Sequence, residues 1–573
     1  MPETVTTDVA IIGAGPAGST CGGFLRKYDP GISVTILERE TFPRDHVGES
    51  QLPLVGRILN ELGAWDAVEE AGFPIKVGAT YRWGKTDDLW DFHFVADGNF
   101  KGGPRPAKYE GQRTDTALQV DRALYDHILA EHARSLGCDV RYDTAVRTVE
   151  RDGDRVIRLI LGDGTRVEAG VYIDASGHAG LLRRTMGVAI EEPSALRNVA
   201  FWDYWQNAEW AVSIGVGGTR VQVMSVGYGW LWFIPLSPTR TSVGLVCPAD
   251  YYKDSGRKPE ELLRQAIQDE PRIRALMANA VSEGKFATTK DWSFVAERMT
   301  GPNWYLIGES LGFADPILAA GLTISQASAR ECAFSILDAK ENPRKESWLK
   351  DQYERRNRRR VLQHIRFADY WYSANANFSD LKEYTREIAK DAGLELDADR
   401  AFQWLGTGGF IEEDMGTGGL GTVAIPALHQ ITRRFSNTTA KIELDGAAYY
   451  LLRLRGSELT QIAHYSQGRV QALPARERDG KLLPLYGLFG YLVEALEKNT
   501  DYPGIMRFMR RRMEAAGDNF DSAQLQIFGC LESMARDKWI SCKRSEDNPG
   551  TEFFIPDDSP YIAANQDPAK ESA

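Results

Sequence analysis

A short apolar run, Asp8-Val9-Ala10-Ile11-Ile12, stops at Gly13, and a second, Ser33-Val34-Thr35-Ile36-Leu37, follows past a stretch with helical spacing. Runs this short and rich in β-branched residues predict buried strands. Pro16 predicts the first turn of a helix reaching about Lys27. The same style returns over 120–185, with a helix over Arg122–Leu136 and strands near 140–150, 155–161 and 166–174, the last closed by Asp174-Ala175-Ser176-Gly177. Alternating segments between about 196 and 250 (Arg220–Val226, Trp230–Pro235, Thr241–Val246) predict an antiparallel sheet. Past Pro343 the character changes: Lys345–Tyr372 reads as one long helix, Gly406–Gly421 as a loop or hinge, 440–540 as several helices and 543–573 as a polar, fraying tail. The basic run Arg355–Arg360 reads as a solvated helix face paired with nearby acids. The fold class expected is α/β. Residues 1–340 form a Rossmann-like core with an antiparallel substrate sheet interleaved at about 75–115 and 196–295, and 341–573 form a mostly helical region.

Composition narrows the function classes. Of 573 residues, 68 are Lys or Arg and 80 are Asp or Glu, a net charge of −12 that disfavours nucleic acid as a partner. No apolar stretch approaches the roughly 18 residues that cross a bilayer, and no secretory signal precedes Val9. Six cysteines without a C-x-x-C pair predict a reduced, cytoplasmic setting and no zinc or other metal site.

Gly13-Ala14-Gly15-Pro16-Ala17-Gly18 sits between a strand and a helix, and Glu38, 20 residues past Gly18, ends the next strand with Arg39 beside it. This is the context of a dinucleotide site: glycines for the tight turn and close backbone approach, a helix N-terminus for pyrophosphate, an acid for a ribose hydroxyl.

Further motifs resemble the FAD-dependent hydroxylase superfamily. Gly308-Glu309 follows the apolar strand Trp304-Tyr305-Leu306-Ile307 and precedes Phe313-Ala314-Asp315-Pro316 and Gly321; Gln119-Val120-Asp121-Arg122 and Asp174 match its middle landmarks. The resemblance implies FAD, with Glu309, where the superfamily usually has Asp, on the ribityl chain, and Arg122 also at the cofactor. Three elements resemble flavin-dependent halogenases more closely. Trp230-Leu231-Trp232-Phe233-Ile234-Pro235 carries W-x-W-x-I-P, whose two indoles share one strand face. Lys76 lies in Phe73-Pro74-Ile75-Lys76-Val77-Gly78, like the segment that bears the halogenase lysine. Phe42-Pro43-Arg44-Asp45-His46-Val47-Gly48-Glu49-Ser50 resembles the signature that touches flavin, with Arg44 and Ser50 as contacts and His46 as a structural residue.

The resemblance, spanning roughly residues 8–330, implies a halogenation cycle. FAD, used as FADH2, and O2 oxidise a halide to hypohalous acid, Lys76 receives it and delivers it to an aromatic substrate, and Trp230 and Trp232 keep that substrate from the flavin. Two positions depart from tryptophan halogenases: Leu318 replaces their catalytic Glu, and Ala320 replaces a Ser or Thr. The phenol- and pyrrole-type branch lacks that Glu as well. Halide is then expected on the backbone of Ala320, Gly321 and Leu322, with the choice among chloride, bromide and iodide left open. Asp291 resembles a position at which some relatives tether FAD. No second fingerprint for NAD(P)H is evident, which implies a separate NAD(P)H-dependent flavin reductase; the substrate is a small aromatic, free or carrier-tethered. Two rivals are an aromatic monooxygenase reduced directly by NAD(P)H and a redox-silent FAD-binding or docking module.

Overall fold

The computed structural model describes residues 3–214, 216–382, 384, 385, 388, 434, 435, 442–553 and 561–565; the Gly406–Gly421 patch lies outside them. Packing divides the chain into two compact units. The first comprises 1–395, 467–469 and 560–573, and the second 396–466 with 470–559. The long helix past Pro343 therefore belongs to the first unit, not with the C-terminal region as the boundary at 340 implied.

The first unit begins with β1 (Thr4–Ile12), whose Val9–Ile12 half is buried, α1 (Pro16–Tyr28) and β2 (Val34–Leu37), which runs parallel to β1 with Val9 opposite Val34. The first ten residues of α1, Pro16–Leu25, are all buried, so small side chains (Gly18, Ser19, Gly22, Gly23) let the helix lie close on the sheet. The chain then leaves for a second sheet with β3 (Ile75–Arg82), β4 (Leu89–His93) and β5 (Ala117–Leu118). It returns through α2 (Arg122–Ser135), capped by the Asp121 carboxylate on Ala123 N–H, into β6 (Asp139–Arg141), β7 (Val146–Asp152), β8 (Arg155–Leu161) and β9 (Arg166–Asp174). The strand order β6-β2-β1-β9-β8-β7 is parallel at its centre, with Ile12 opposite Asp174, so the glycine turn and the Asp174 corner emerge at the same edge.

The second sheet has ten strands. Antiparallel β10 (Arg197–Gln206), β11 (Gly218–Val226), β12 (Gly229–Pro235) and β13 (Arg240–Pro248) form its body, and β14 (Ala287–Trp292) pairs with β10. β3 joins β11 in parallel, with Lys76 opposite Thr219. The expected frayed tail contributes a strand of its own: β15 (Ile562–Asn565) pairs with β4, and Asn565 donates to the buried Asp91 carboxylate. That strand pairs only after the chain has run its whole length, a non-local contact its own four residues do not signal.

Two helices complete the unit, α3 (Gly321–Glu341) and α4 (Glu346–Ser373). The basic run on α4 corrects the expectation of a solvated face. Arg355 and Arg358 do meet surface acids, but Arg356, Asn357 and Arg360 turn inward onto the buried Glu331 carboxylate of α3. Those positive charges hold Glu331 at a pKa of about 2 against the upward push of its burial.

The second unit has the expected helices (Gly487–Lys498, Tyr502–Ala516, Phe520–Arg536) around Leu492, Ile505, Ile527 and Trp539. It also contains strands, Tyr449–Leu452 against Ile540–Lys543 and an antiparallel set from Glu458 to Pro484, whose many exposed positions gave them little apolar signature.

Candidate active site

At the end of β1 the chain turns at Gly13 with φ +105°, where a Cβ would lie 2.4 Å from the Ala175 carbonyl oxygen. A Cβ on Gly18 would lie 1.9 Å from the Gly13 carbonyl oxygen, so the protein's own backbone demands both glycines. Gly15 is different. It caps α1 in extended conformation, and a Cβ there would meet only Arg44 Nη2, at 3.8 Å, which leaves room for a ligand to approach the helix N-terminus. Ala17 follows in the first turn, and Gly308 of the second motif approaches it so closely that an added Cβ would lie 3.0 Å from the alanine's. Glu38 accepts from Ala14 N–H at 2.8 Å and Glu40 N–H at 3.0 Å, anchored beside the turn. A helix dipole, an open glycine and an acid at the next strand end fit the pyrophosphate and ribose of FAD.

Further along the same edge Asp126 gathers two arginines. Arg122 binds it through Nε and Nη2 at 2.7 and 3.0 Å and gives Nη1 to the Val47 and Gly48 carbonyls; Arg44 reaches it at 3.2 Å. Arg39 instead turns to solvent against Glu40. Glu309 lies between Gly177 and Gly321, 3.9 Å from the Cβ position of each, and its confined carboxyl is pushed above the ordinary carboxylate range, an effect Arg122 opposes. Ser50 bridges to Gln119 and buries its hydroxyl. His46 rests its ring on the Val47 carbonyl. Asp291 lies in β14 opposite Asn198, and its side chain is outside the described atoms.

Lys76 is 2% exposed, so the alternative of a snorkelling surface lysine is gone. Its Nζ donates to the Gln51 carbonyl at 2.9 Å and stands 5.4 Å from the Phe94 ring centre. Burial alone pushes its pKa down to about 7. Trp230 and Trp232 share a face of β12 with ring centres 6.1 Å apart. Trp232 fits because its cross-strand partner is Gly244; a Cβ there would strike the indole at 2.2 Å. The segment before α3 turns through Ala319 at φ +55°, buries Leu318 and Ala320, and presents the N-terminus of α3 at Gly321 and Leu322. First-turn N–H groups have no acceptor within their helix, which suits a small anion.

Several residues escaped the motifs. Tyr372, on α4, takes the Trp230 N–H and donates to Asp315, and Asn198 donates to the same carboxylate at 2.9 Å. Burial raises the Asp315 carboxyl, which these hydrogen bonds oppose. Glu49 is buried with Tyr204 on it at 3.1 Å, its pKa raised to about 7 by desolvation. Thr323, in the first turn of α3, buries a hydroxyl with no partner among the described residues. Glu49 and Asp315 stood inside recognised motifs and Thr323 just past one; Tyr372 and Asn198 come from elements far away in sequence. Among the described residues no group of His, Cys, Asp and Glu is disposed to hold a metal, and no helix is long and apolar enough to cross a membrane.

Residues 6–368 match the family model described as FAD binding domain. The chain is 31% identical over 339 residues to a tryptophan 2-halogenase of Chondromyces crocatus, covering 58% of this chain and 61% of that protein. It is 30% identical over 385 residues to a 1H-pyrrole-2-carbonyl-(peptidyl-carrier protein) chlorinase of Pseudomonas fluorescens, covering 65% and 85%. In fold it is similar to the crystal structure of CmlS, a flavin-dependent halogenase, with a TM-score of 0.72 over 96% of this chain and 99% of that one at 22% identity.

Proposed function

Because the chain belongs to the FAD-binding-domain family and, within it, to the flavin-dependent halogenases, we propose that it halogenates an electron-rich phenolic or pyrrolic ring through hypohalous acid relayed to Lys76. FAD is the cofactor and halide the co-substrate. Bound reduced FAD supplies, with O2, the two-electron oxidation of halide.

Each proposed task falls to a residue of this chain. The Gly15 turn and Glu38 hold the dinucleotide, with Arg44, Ser50, Arg122 and Glu309 further along it. Gly321 and Leu322 N–H groups hold the halide beside Ala320. Trp230 and Trp232 exclude the organic substrate from the flavin side. Lys76 donates to the oxygen of hypohalous acid, making the halogen the electrophile. The observation that carries this reading is Lys76 itself, buried on β3 without a carboxylate partner among its hydrogen bonds, so that its pKa falls to about 7. A lysine kept this way costs stability, which favours a chemical use.

The relatives' names favour five-membered, electron-rich rings: one acts on a carrier-tethered pyrrole, and the other on position 2 of tryptophan, which lies in the pyrrole half of indole. Supply of FADH2 by a separate reductase is part of the proposal. The test is incubation with FAD, a flavin reductase, NADH, O2 and chloride or bromide over free and carrier-tethered phenols and pyrroles, read by mass. Halogenated product is expected. Hydroxylated product with substrate-stimulated NADPH oxidation and no reductase would install the monooxygenase rival; bound flavin without any product would install the redox-silent one.

A further inference from the structure

Beside Lys76 the structure buries an amide with nothing to bind. Gln119 is fully buried, and both its Oε1 and its Nε2 lack a hydrogen-bond partner among the described residues. Ser50, paired with Gln119 across a β-bridge, buries its hydroxyl in the same condition. The register brings both to Lys76. Lys76 is opposite Ala117 in the β3–β5 pair, and Gln119 lies two residues further, its N–H on the Pro74 carbonyl at 2.9 Å. Positions two apart on a strand share a face, and directly opposed residues share it too. Lys76, Ala117, Gln119 and Ser50 therefore line one face, with Gln119 on the diagonal from Lys76, about 7–8 Å between backbones and within reach of two long side chains. Among the described residues only one of the three Lys76 N–H groups has a partner, the Gln51 carbonyl. A buried amide left unsatisfied costs about 1–3 kcal/mol, so a face carrying an orphaned amide, an orphaned hydroxyl and an underused amine suits a small ligand that both donates and accepts.

We infer that Gln119 holds hypohalous acid against Lys76, in place of the carboxylate that Leu318 does not provide. This rests on the Lys76 reading above. Gln119 Oε1 accepts the acid's O–H while Lys76 donates to its oxygen, which leaves the halogen outermost. The ring carbon attacks the halogen. The carbon–halogen bond forms, the oxygen–halogen bond breaks with its electron pair staying on oxygen, and that oxygen takes a proton from Lys76 to leave as water. Lys76 then recovers a proton as the ring sheds its own, so arene and hypohalous acid give haloarene and water.

The test compares Gln119→Leu, Gln119→Glu and Lys76→Met in the full chain. Read are FAD affinity, thermal unfolding without flavin, O2 uptake with reductase, product per O2, and oxidation of an added thioether that traps escaping hypohalous acid. Gln119→Leu should keep FAD affinity and O2 uptake, unfold at the same or a higher temperature, lose about tenfold in product per O2 and oxidise more thioether. Gln119→Glu, which keeps the acceptor, should recover part of the product. Unchanged product per O2 in Gln119→Leu overturns the inference, as does weakened FAD binding, which assigns the amide to the cofactor, or a lowered unfolding temperature, which makes it structural. Lys76→Met separates the two readings. If it keeps its product the lysine relay itself fails; if it loses product while Gln119→Leu does not, only the present inference falls.

Discussion

The Trp230 indole N–H donates to the Tyr372 hydroxyl at 2.5 Å, and that hydroxyl lies 3.1 and 3.2 Å from the two oxygens of Asp315. One phenol on α4 thus ties the tryptophan motif of β12 to the segment that leads into the N-terminus of α3. Tyr372→Phe keeps the ring and deletes the tie. The expected result is retained FAD and O2 uptake with product per O2 lowered by roughly an order of magnitude, since small displacements near a reacting centre carry large rate costs. Because the Tyr372 hydrogen bond opposes the burial-raised Asp315 pKa, its loss should also move the acid limb of the pH–activity profile upward. An unchanged profile together with unchanged coupling would show that the tie positions nothing.

Lys76 connects catalysis to stability through one pKa. In the folded chain it falls to about 7 from the ordinary lysine value of 10.5. The folded state therefore binds fewer protons than the unfolded state between those values. The resulting penalty is full below pH 7, shrinks as pH rises from 7 towards 10.5, and is gone above that. Lys76→Met should raise the unfolding temperature at pH 7, with a gain worth a few kcal/mol that fades towards pH 10. Product should vanish while FAD binding and O2 uptake persist. A pH-independent stability difference would remove the depressed pKa from the argument.

The glycines of the first motif should separate in their effects. Gly13 has a positive φ and a carbonyl at 2.4 Å from a Cβ, so Gly13→Val should destabilise the fold, at about 1–3 kcal/mol for the backbone strain alone. Gly15 faces only Arg44 Nη2, so Gly15→Val should fold and lose yellow colour, because the side chain fills the approach to the helix N-terminus. Flavin stoichiometry of the purified variants, set beside their unfolding temperatures, checks both; a fully yellow Gly15→Val would refute the cradle.

Glu331 joins α3 to α4. Glu331→Gln should cost about 3–5 kcal/mol, because Arg356 and Arg360 would be left facing a neutral group in a buried place. Its carboxyl is held at about 2, below the ordinary glutamate value of 4.5, so its stabilisation is complete above about 4.5 and is lost as pH falls towards 2. The gap between wild type and Glu331→Gln in denaturant titrations should therefore close in acid, and a gap that widened there would contradict the assignment.

How far the sequence reached follows from what each signal measures. Gly13–Gly18, Glu38 and the W-x-W-x-I-P strand were legible because local turn chemistry and strand period determine them within a few residues. Lys76 was legible as a residue type in a recognisable segment, but its burial depends on β5 and β11 closing over β3. Tyr372 and Glu331 were not legible in their roles: each acts across elements that meet only in the folded chain, and the spacing on α4 alone gave Arg356 and Arg360 the look of a solvent face. The strand Ile562–Asn565 was hidden for the same reason, since its partner β4 lies at the other end of the sequence.

Leu318 sets the final prediction. It is buried in the turn before α3, at the position that the sequence resemblance matches with the carboxylate of tryptophan halogenases. A carboxylate would stabilise positive charge growing on a ring under electrophilic attack, and an alkyl group cannot. The ring must then stabilise that charge itself. A phenol does so through its oxygen at the ortho and para positions, and a pyrrole through its nitrogen, whereas the benzo ring of tryptophan does so poorly. Under one halide, a simple phenol or pyrrole in competition with free tryptophan should take nearly all the halogen, and any tryptophan product should carry it on the five-membered ring. Product mass and position on the ring decide the matter; faster reaction at the benzo ring would mean that a group other than Leu318 supplies the missing charge.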